Sequence, residues 1–477
     1  MKRIRCACFL AALSAMNLMP GTAAAEAESR TNSSLHLSLK ECLEQALANN
    51  HARPASQLGV VIAEAQHQQA LSTYWPTATL SSSLSRRDDD PTFIFPEETD
   101  LYSFNLLNQD LLANVTVPEK HIRLQDKVHA VSDVDVVLPL YTGGLRGALL
   151  RQTRAGITAA QQASRRTDLE VVYDVKRIYH GAVLAVNLVR IGEEALARLE
   201  VTLELTENLY QRGSGAVKKT DWLAHKVVVE GLRSAVVRLH SNRELAVAAL
   251  GNTMGLTWDQ VVTPNASSVP YEALAVDLAD LVDASYRFNP DWGQLQAGLD
   301  ALAGQVDEAR SGRMPMAALV GNVELISNSH DAGIVGDAEN KSWLVAVGLE
   351  IPLFDGFLTR HRIREAQARL TRLEHQQVRL REGLGLQVKA LFLEMMRAQG
   401  QESAMGAALE AAEQNRSLNA RAYQDQLVEV QDVIQSQLME SFTRAVYEKV
   451  RYEHAEARAH LEQIVGTELL ALISGTR

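Results

Sequence analysis

The sequence predicts a mixed α/β membrane protein in which long α-helical hairpins of coiled-coil type carry four transmembrane β-strands per chain. Three observations predict it. Two stretches of one shape, "VVLPLYTGG" from Val136 to Gly144 and "VGLEIPLFDGF" from Val347 to Phe357, lie 352 − 139 = 213 residues apart, proline to proline. Four segments alternate apolar and polar residues with the period of a strand. Behind each "PL-aromatic-x-G" runs a long proline-free stretch of Ala, Leu, Arg, Gln and Glu, which are good helix formers.

Composition narrows the class before any motif is read. The chain has 477 residues, 46% of them hydrophobic, and a formal charge of -11. No nucleic-acid partner is expected, since binding phosphates takes a concentrated basic face. Lys2, Arg3 and Arg5, an apolar run from Cys6 to Met19, Pro20-Gly21 and Ala23-Ala24-Ala25 read as a secretory signal over residues 1–25. Cys6 and Cys8 leave with it, so Cys42 has no partner for a disulfide and reads as a small buried residue on an Ala/Leu-rich helix. After the signal no apolar run reaches the ~18 residues of a spanning helix, so any membrane crossing falls to β-strands.

The offset of 213 also places Tyr141 on Phe354, Gly143 on Gly356, Tyr179 on Phe392 and Tyr210 on Tyr423. Upstream the constant is 239: Asn50 falls on Asn289, Gln66 on Gln305, Pro76 on Pro315 and Leu80 on Leu319. The chain is therefore an internal two-fold repeat, with the first unit at 26–254, a polar linker at 255–275, the second unit at 276–466 and a tail at 467–477. The excess, 239 − 213 = 26 residues, falls in a loop of the first unit between 86 and 127. Its "DDD" lacks the spaced ligands of a calcium loop and reads as solvated.

Each unit begins with a helical stretch, Ser38 to Ser72 or Asp277 to Ser311, and passes into a strand. From Thr77 to Ser85 the hydroxyl residues Thr77, Thr79, Ser81 and Ser83 alternate with Ala78, Leu80 and Leu84. Val128 to Leu138 sets Asp133 and Asp135 against Val134, Val136 and Leu138; the second unit sets Asn322 and Glu324 against Leu319, Val323 and Leu325. The last strand places Trp343, Val345, Val347, Leu349 and Ile351 on one face. Tyr74, Trp75 and Trp343 stand where interfacial aromatics belong. Pro139 and Pro352 end the ladder because proline cannot donate to it, and Gly143 and Gly356 permit the turn into a helix.

The helices that follow run from Gly144 to Arg212 and from Gly356 to about Gln426, roughly 100 Å each at ~1.5 Å per residue. Return helices from Lys218 and Glu429 complete two antiparallel hairpins. Small residues at helical spacing, Ala155, Ala159 and Ala163 or Ser441, Ala445, Ala455 and Ala459, favour close packing in a layered assembly.

Four strands cannot close a barrel, and an open edge in hydrocarbon leaves backbone groups unpaired at several kcal/mol each. Copies must pool strands. Three copies give a twelve-stranded barrel with room for water, which suits the polar faces as a pore lining.

At this point the chain resembles the TolC-type outer membrane factors, in its signal, its repeat, "VVLPLYTGG" with "GLEIPLFDG", and its order of helix, strand, strand, helix, helix. The resemblance implies a homotrimer with a β-barrel in outer membrane lipid and a coiled-coil α-barrel crossing the periplasm. It implies docking on a periplasmic adaptor and an inner-membrane transporter, as the exit duct of efflux or type I secretion. It places adaptor contacts at the hairpin tips. Arg212, Gly213 and Ser214 are similar to the family's Arg-Gly-Ser/Thr tip; the second tip, Gln426, Leu427 and Val428, departs from it where a glycine is usual. Ser417, Leu418, Asn419 and Ala420 stand where some relatives carry an acidic ring, with Glu413 and Asp425 the nearest acids.

Rival readings are an enzyme, a periplasmic adaptor and a soluble periplasmic coiled-coil scaffold. No phosphate loop, nucleophile elbow or metal-ligand spacing supports catalysis or a cofactor. An adaptor would need a compact β-rich domain beside its hairpin, and a scaffold would fractionate as soluble protein.

Overall fold

The computed structural model describes residues 35–89, 92–106, 109–123, 127–213, 217–328, 341–425, 427–467 and 469. The expected signal, Ser214, Gln426 and most of the expected tail lie outside them. In chain order the elements are β1 (Leu35–Leu37), α1 (Leu39–Asn49), α2 (Ala52–Ser72), β2 (Thr77–Arg86), β3 (Thr92–Phe95), β4 (Glu98–Leu106), β5 (Gln109–Val117), β6 (Lys120–Arg123) and β7 (Val128–Tyr141). There follow α3 (Leu145–Gln211), α4 (Lys219–Thr253), β8 (Val262–Pro264), α5 (Leu278–Phe288), α6 (Pro290–Ser311), β9 (Met316–Asn328), β10 (Lys341–Glu350), α7 (Leu358–Gln424) and α8 (Val430–Val465).

Both long helices run unbroken for 67 residues, and their starts keep the sequence offset, 358 − 145 = 213. The return helices start 430 − 219 = 211 residues apart, so the second tip is shorter. Helix α3 packs against α2, α4, α6 and α8, and α7 against α5, α6 and α8, which ties the two hairpins into one body.

The lead-in helices differ from expectation. Each was expected as one stretch, and each is two helices broken at an asparagine. Asn289 is extended at ψ 125°, as a residue before proline must be. Its Oδ1 accepts from the amides of Asp291 and Trp292 at 2.8 and 3.1 Å, while its Nδ2 donates to the Ile464 carbonyl at 2.7 Å. Asn50 does the same without a proline: Oδ1 accepts from Ala52 N at 2.9 Å and Nδ2 donates to the Thr253 carbonyl at 2.9 Å. Just beyond each of those carbonyls a glycine takes the left-handed region, Gly255 at φ +74° and Gly466 at φ +84°. A Cβ on either would come within 2.5 and 2.3 Å of the carbonyl oxygens of Asn49 and Phe288. One side chain thus caps a helix and fastens the end of another.

Strands β10, β9, β7 and β2 lie side by side in that order, all antiparallel. The central pairing, β7 with β9, joins the two halves of the chain. Pro139 does not end the ladder as expected: β7 continues to Tyr141 through a bulge, where the register slips between Pro139 and Tyr141. A bulge takes up a residue that cannot donate. Pro352 does lie beyond its strand, one residue past Ile351.

Two other expectations need correction. The stretch between 86 and 127, read as a loop, folds as a β-ribbon in which β3 pairs β6 and β4 pairs β5. Arg87 N donates to the Lys127 carbonyl at 2.7 Å, so the ribbon continues the β2–β7 hairpin. The polar linker 255–275 is anchored, because β8 pairs in parallel with β1 and Val262, Val269 and Leu274 are buried. The first two join a core with Cys42, Val175, Tyr179, Val183, Leu250 and Met254. Cys42 is fully buried, as expected, and burial pushes its thiol up to about 11.

Replacing Asn289 with alanine removes a cap and the bond to Ile464 together. The expected cost is ~1–2 kcal/mol, read as a lower midpoint in thermal melts followed by circular dichroism. Asn289→Ser, which can still cap but cannot reach Ile464, should lose less; equal losses would mean the cap contributes nothing.

Candidate functional site

The sheet register gathers the polar strand residues. Ser81, Asp133, Glu324 and Ser342 stand opposite one another across the four strands, as do Thr79, Asp135, Asn322 and Leu344. Thr77 and Ser83 share that face, so all eight residues expected there lie on one side. Asn322 Nδ2 donates to Asp135 Oδ1 at 2.8 Å, fixing one cross-strand pair. The register also adds Val131, Val137, Val320 and Ile326, which makes the face mixed rather than purely polar. Ser85 and His129 pair at its distal end, Oγ to Nε2 2.8 Å.

The opposite face carries Leu80, Val134, Val323 and Trp343 in one row and Leu138, Leu319 and Val347 in another. It is the more open to its surroundings: Trp343 is 77% exposed, Val347 68% and Leu349 65%, whereas Asp133, Asp135, Asn322 and Glu324 are half-buried. A continuous exposed apolar sheet face needs a cover of its own kind. From Trp343 to Ile351 its length suits the ~25 Å apolar band of a membrane barrel.

At the strand-to-helix junctions two consecutive residues adopt positive φ. Gly143 and Gly144 stand at +62° and +93°, and their offset equivalents Gly356 and Phe357 at +65° and +67°. Gly143 fits closely, since a Cβ there would lie 2.5 Å from Met314 Cβ. Among the described residues Phe357 is the one non-glycine held at positive φ, at a cost of ~1–2 kcal/mol. Sequence reading named one glycine per hinge and missed the second position; the match of Gly144 with residue 357 was the available signal.

At the first tip Arg212 ends α3 and Gly213 turns the chain at φ +73°, donating to the Tyr210 carbonyl at 3.0 Å. Tyr210 stacks on Trp222 across the hairpin, with ring centres 5.7 Å apart. At the second tip Leu427 N donates to the Ala422 carbonyl at 2.8 Å, and its side chain is 76% exposed. Val428 does not point outward as expected of a contact residue: it packs on the cluster of Leu199, Val229, Tyr423, Val430, Val433 and Ile434 that fills both tips. Arg212, Gly213 and Leu427 are exposed, leaving them free for a partner.

Behind the tips the seam between α3 and α8 is polar and buried. Gln437 donates to Thr202 at 3.2 Å and Asn187 donates to Glu448 at 3.2 Å, and nearer the tips the Thr206 hydroxyl meets that of Tyr423 on α7 at 3.2 Å. Glu440 has no exposure and pairs with Arg198 at 3.0 Å and Arg444 at 2.7 Å. Arg444 also reaches Glu194 and Glu413, at 3.2 and 2.8 Å, so Glu413 is tied into a network. A buried carboxylate flanked by two guanidiniums survives only while its partners remain. Spacing alone does not reveal this seam, because Glu and Arg on long helices read as surface. Ser441, expected only as a small packing residue, sits in the network and accepts from Arg198 at 3.2 Å.

Residues 281–467 match the family model for the outer membrane efflux protein. Among curated proteins the chain is similar to Protein CyaE of Bordetella pertussis, 29% identical over 259 residues that cover 51% of this chain and 51% of that protein. The chain thus spans about half the length of the curated relative it matches. Three solved structures share the fold. CusC has a TM-score of 0.70 at 17% identity, covering 91% of this chain and 94% of that one. VceC of Vibrio cholerae has a TM-score of 0.70 at 16%, covering 90% and 96%. The open state of MtrE from Neisseria gonorrhoeae has a TM-score of 0.68 at 15%, covering 90% and 89%.

One pH dependence follows from the tip core. His225 is fully buried, and desolvation, only partly offset by a backbone hydrogen bond to Leu199, lowers its pKa from 6.5 to about 4. The folded chain therefore holds it neutral where the unfolded chain would charge it. Its contribution is complete above pH 6.5 and is lost as pH falls toward 4. His225→Phe should flatten the fall in thermal midpoint across that window, with little change at pH 8.

Proposed function

We propose, from the outer membrane efflux protein domain formed by residues 281–467, that the chain is the outer membrane exit duct of a tripartite efflux or type I secretion system. The observation that carries this is the two-faced sheet with two free edges. Strand β2 bounds one side and β10 the other, and they run in opposite directions, so β10 of one copy can pair antiparallel with β2 of the next. That contact is head-to-tail and must close into a ring. Three copies make the twelve-stranded barrel, with the apolar face in lipid and the acid-bearing face on water.

The chain does no chemistry in this reading. The helical hairpins continue the duct through the periplasm as a coiled-coil α-barrel, and Arg212, Gly213 and Leu427 meet an adaptor that links them to an inner-membrane transporter. Ser214 and Gln426, between these residues in sequence, complete the two tips. The duplicated unit supplies two hairpins per copy, so three copies present six tips. The exposed apolar strand face counts against a soluble scaffold or adaptor.

Two experiments test this. Reconstituted in planar bilayers, the protein should form cation-selective pores, because Asp133, Asp135 and Glu324 of three copies ring the lumen. The D133N/D135N/E324Q variant should move the reversal potential toward zero at unchanged trimer yield. Absence of any conductance from detergent-purified trimers would end the duct assignment. At the tip, Gly213→Trp should abolish complementation of an export-deficient strain while trimers persist, since tryptophan is strained at φ +73° and blunts the turn.

A further inference from the structure

The two strand-to-helix junctions are equivalent by offset yet are filled differently. In the first, Arg146 sets its guanidinium over the Tyr74 ring at 4.8 Å and donates to the Pro139 carbonyl. By the two offsets Tyr74 falls on Arg313 (74 + 239) and Arg146 on Thr359 (146 + 213). The cation–aromatic pair is therefore replaced by an arginine and a threonine, and threonine is too short to fill the space. A cavity of about 400 Å³ remains, with Arg313, Arg360, Leu353, Phe354, Phe357 and Thr359 in its wall. Gly356 faces open space where Gly143 is tightly packed.

The cavity has an uncompensated charge and an apolar approach. Among the described residues neither Arg313 nor Arg360 has an acidic partner. The carboxylate in the same wall, Asp355, is held below the usual carboxylate range by the Thr359 hydroxyl and amide and stays ionised, so the two guanidiniums outnumber it by one charge. Leu353 and Phe354 stand exposed at its mouth and continue the bare strip of Val347, Leu349 and Ile351. Apolar surface that ends abruptly at two unpaired cations matches a ligand with a hydrocarbon tail and an anionic head.

We propose that the second junction binds the phosphate headgroup of an anionic membrane phospholipid. Arg313 and Arg360 take the phosphate, and the acyl chain lies along Phe354, Leu353 and Ile351. Arg146 already occupies the corresponding volume in the first junction, so each chain offers one such place. The inference rests on the sheet lying in a bilayer.

The test uses the full chain in nanodiscs of phosphatidylcholine and phosphatidylglycerol, counting lipids retained by native mass spectrometry and following thermal unfolding. Retention of phosphatidylglycerol should exceed that of phosphatidylcholine roughly tenfold or more, with a raised midpoint. The preference should collapse in R313Q/R360Q. It should also collapse in R313Y/T359R, which installs the first junction's pair and keeps the site filled, so loss of fold is not the explanation. Equal retention by the unaltered protein, or a preference surviving in both variants, overturns the proposal. So does protection by inorganic phosphate in detergent as strong as that by phosphatidylglycerol, which would make this a plain anion site. Failure to enter nanodiscs overturns the duct reading as well, whereas entry without lipid preference overturns this inference alone.

Discussion

The structure depends on one constraint, that backbone donors and acceptors in hydrocarbon must be paired. A four-stranded sheet with an apolar outer face satisfies its interior pairs and leaves two edge rows open. Those rows are harmless in water and costly in lipid. In the proposed duct, position in the membrane and ring closure both follow from that imbalance. The other face, as the lining of that proposed duct, then needs no special chemistry, because a lumen wide enough for water tolerates a mixture of Ser, Asp, Asn and Val.

The helices answer a different problem. A strand in a barrel and a helix in a coiled coil have different paths, and the chain must change direction within a few residues at each junction. It does so with paired left-handed residues, cheaply at Gly143-Gly144 and with strain at Phe357. The C-terminal ends of α4 and α8, away from the tips, are fixed by the Asn50 and Asn289 amides. From these fixed points toward the tips, α3 and α8 are joined by a buried polar seam. Such a seam specifies register more than it adds stability, because burying Glu440 costs nearly what its two arginines return.

Much of this was legible in the sequence. Alternation found the four sheet strands and sorted their faces, since period two leaves no ambiguity once one face is dry. The proline-free runs gave the long helices nearly to the residue. Four features were hidden for physical reasons. The break at Asn50 lies inside a stretch of helix formers, and only a tertiary bond to a distant carbonyl makes an extended residue worthwhile there, whereas at Asn289 the proline that follows was a signal passed over. The ribbon from Thr92 to Arg123 has weak alternation, so it read as loop. The seam of Arg198, Glu440 and Arg444 consists of residue types that are usually solvated, and only the approach of α8 to α3 buries them. The inward turn of Val428 was missed for a similar reason, because its partners come from both hairpins.

The equal length of α3 and α7 carries a consequence for how such a chain can change over time. Both rods begin at matched points on one sheet and end in tips that share a core, so they behave as the two rails of a ladder. Inserting a single residue in one rail would lift its end by ~1.5 Å and spin everything beyond it by about 100°. The sheet above and the shared tip core below would then be out of phase. Tolerated changes in length must come as compensated pairs or fall outside the rails, in the exposed turns and the outer ribbon, which is where the two halves of this chain do differ.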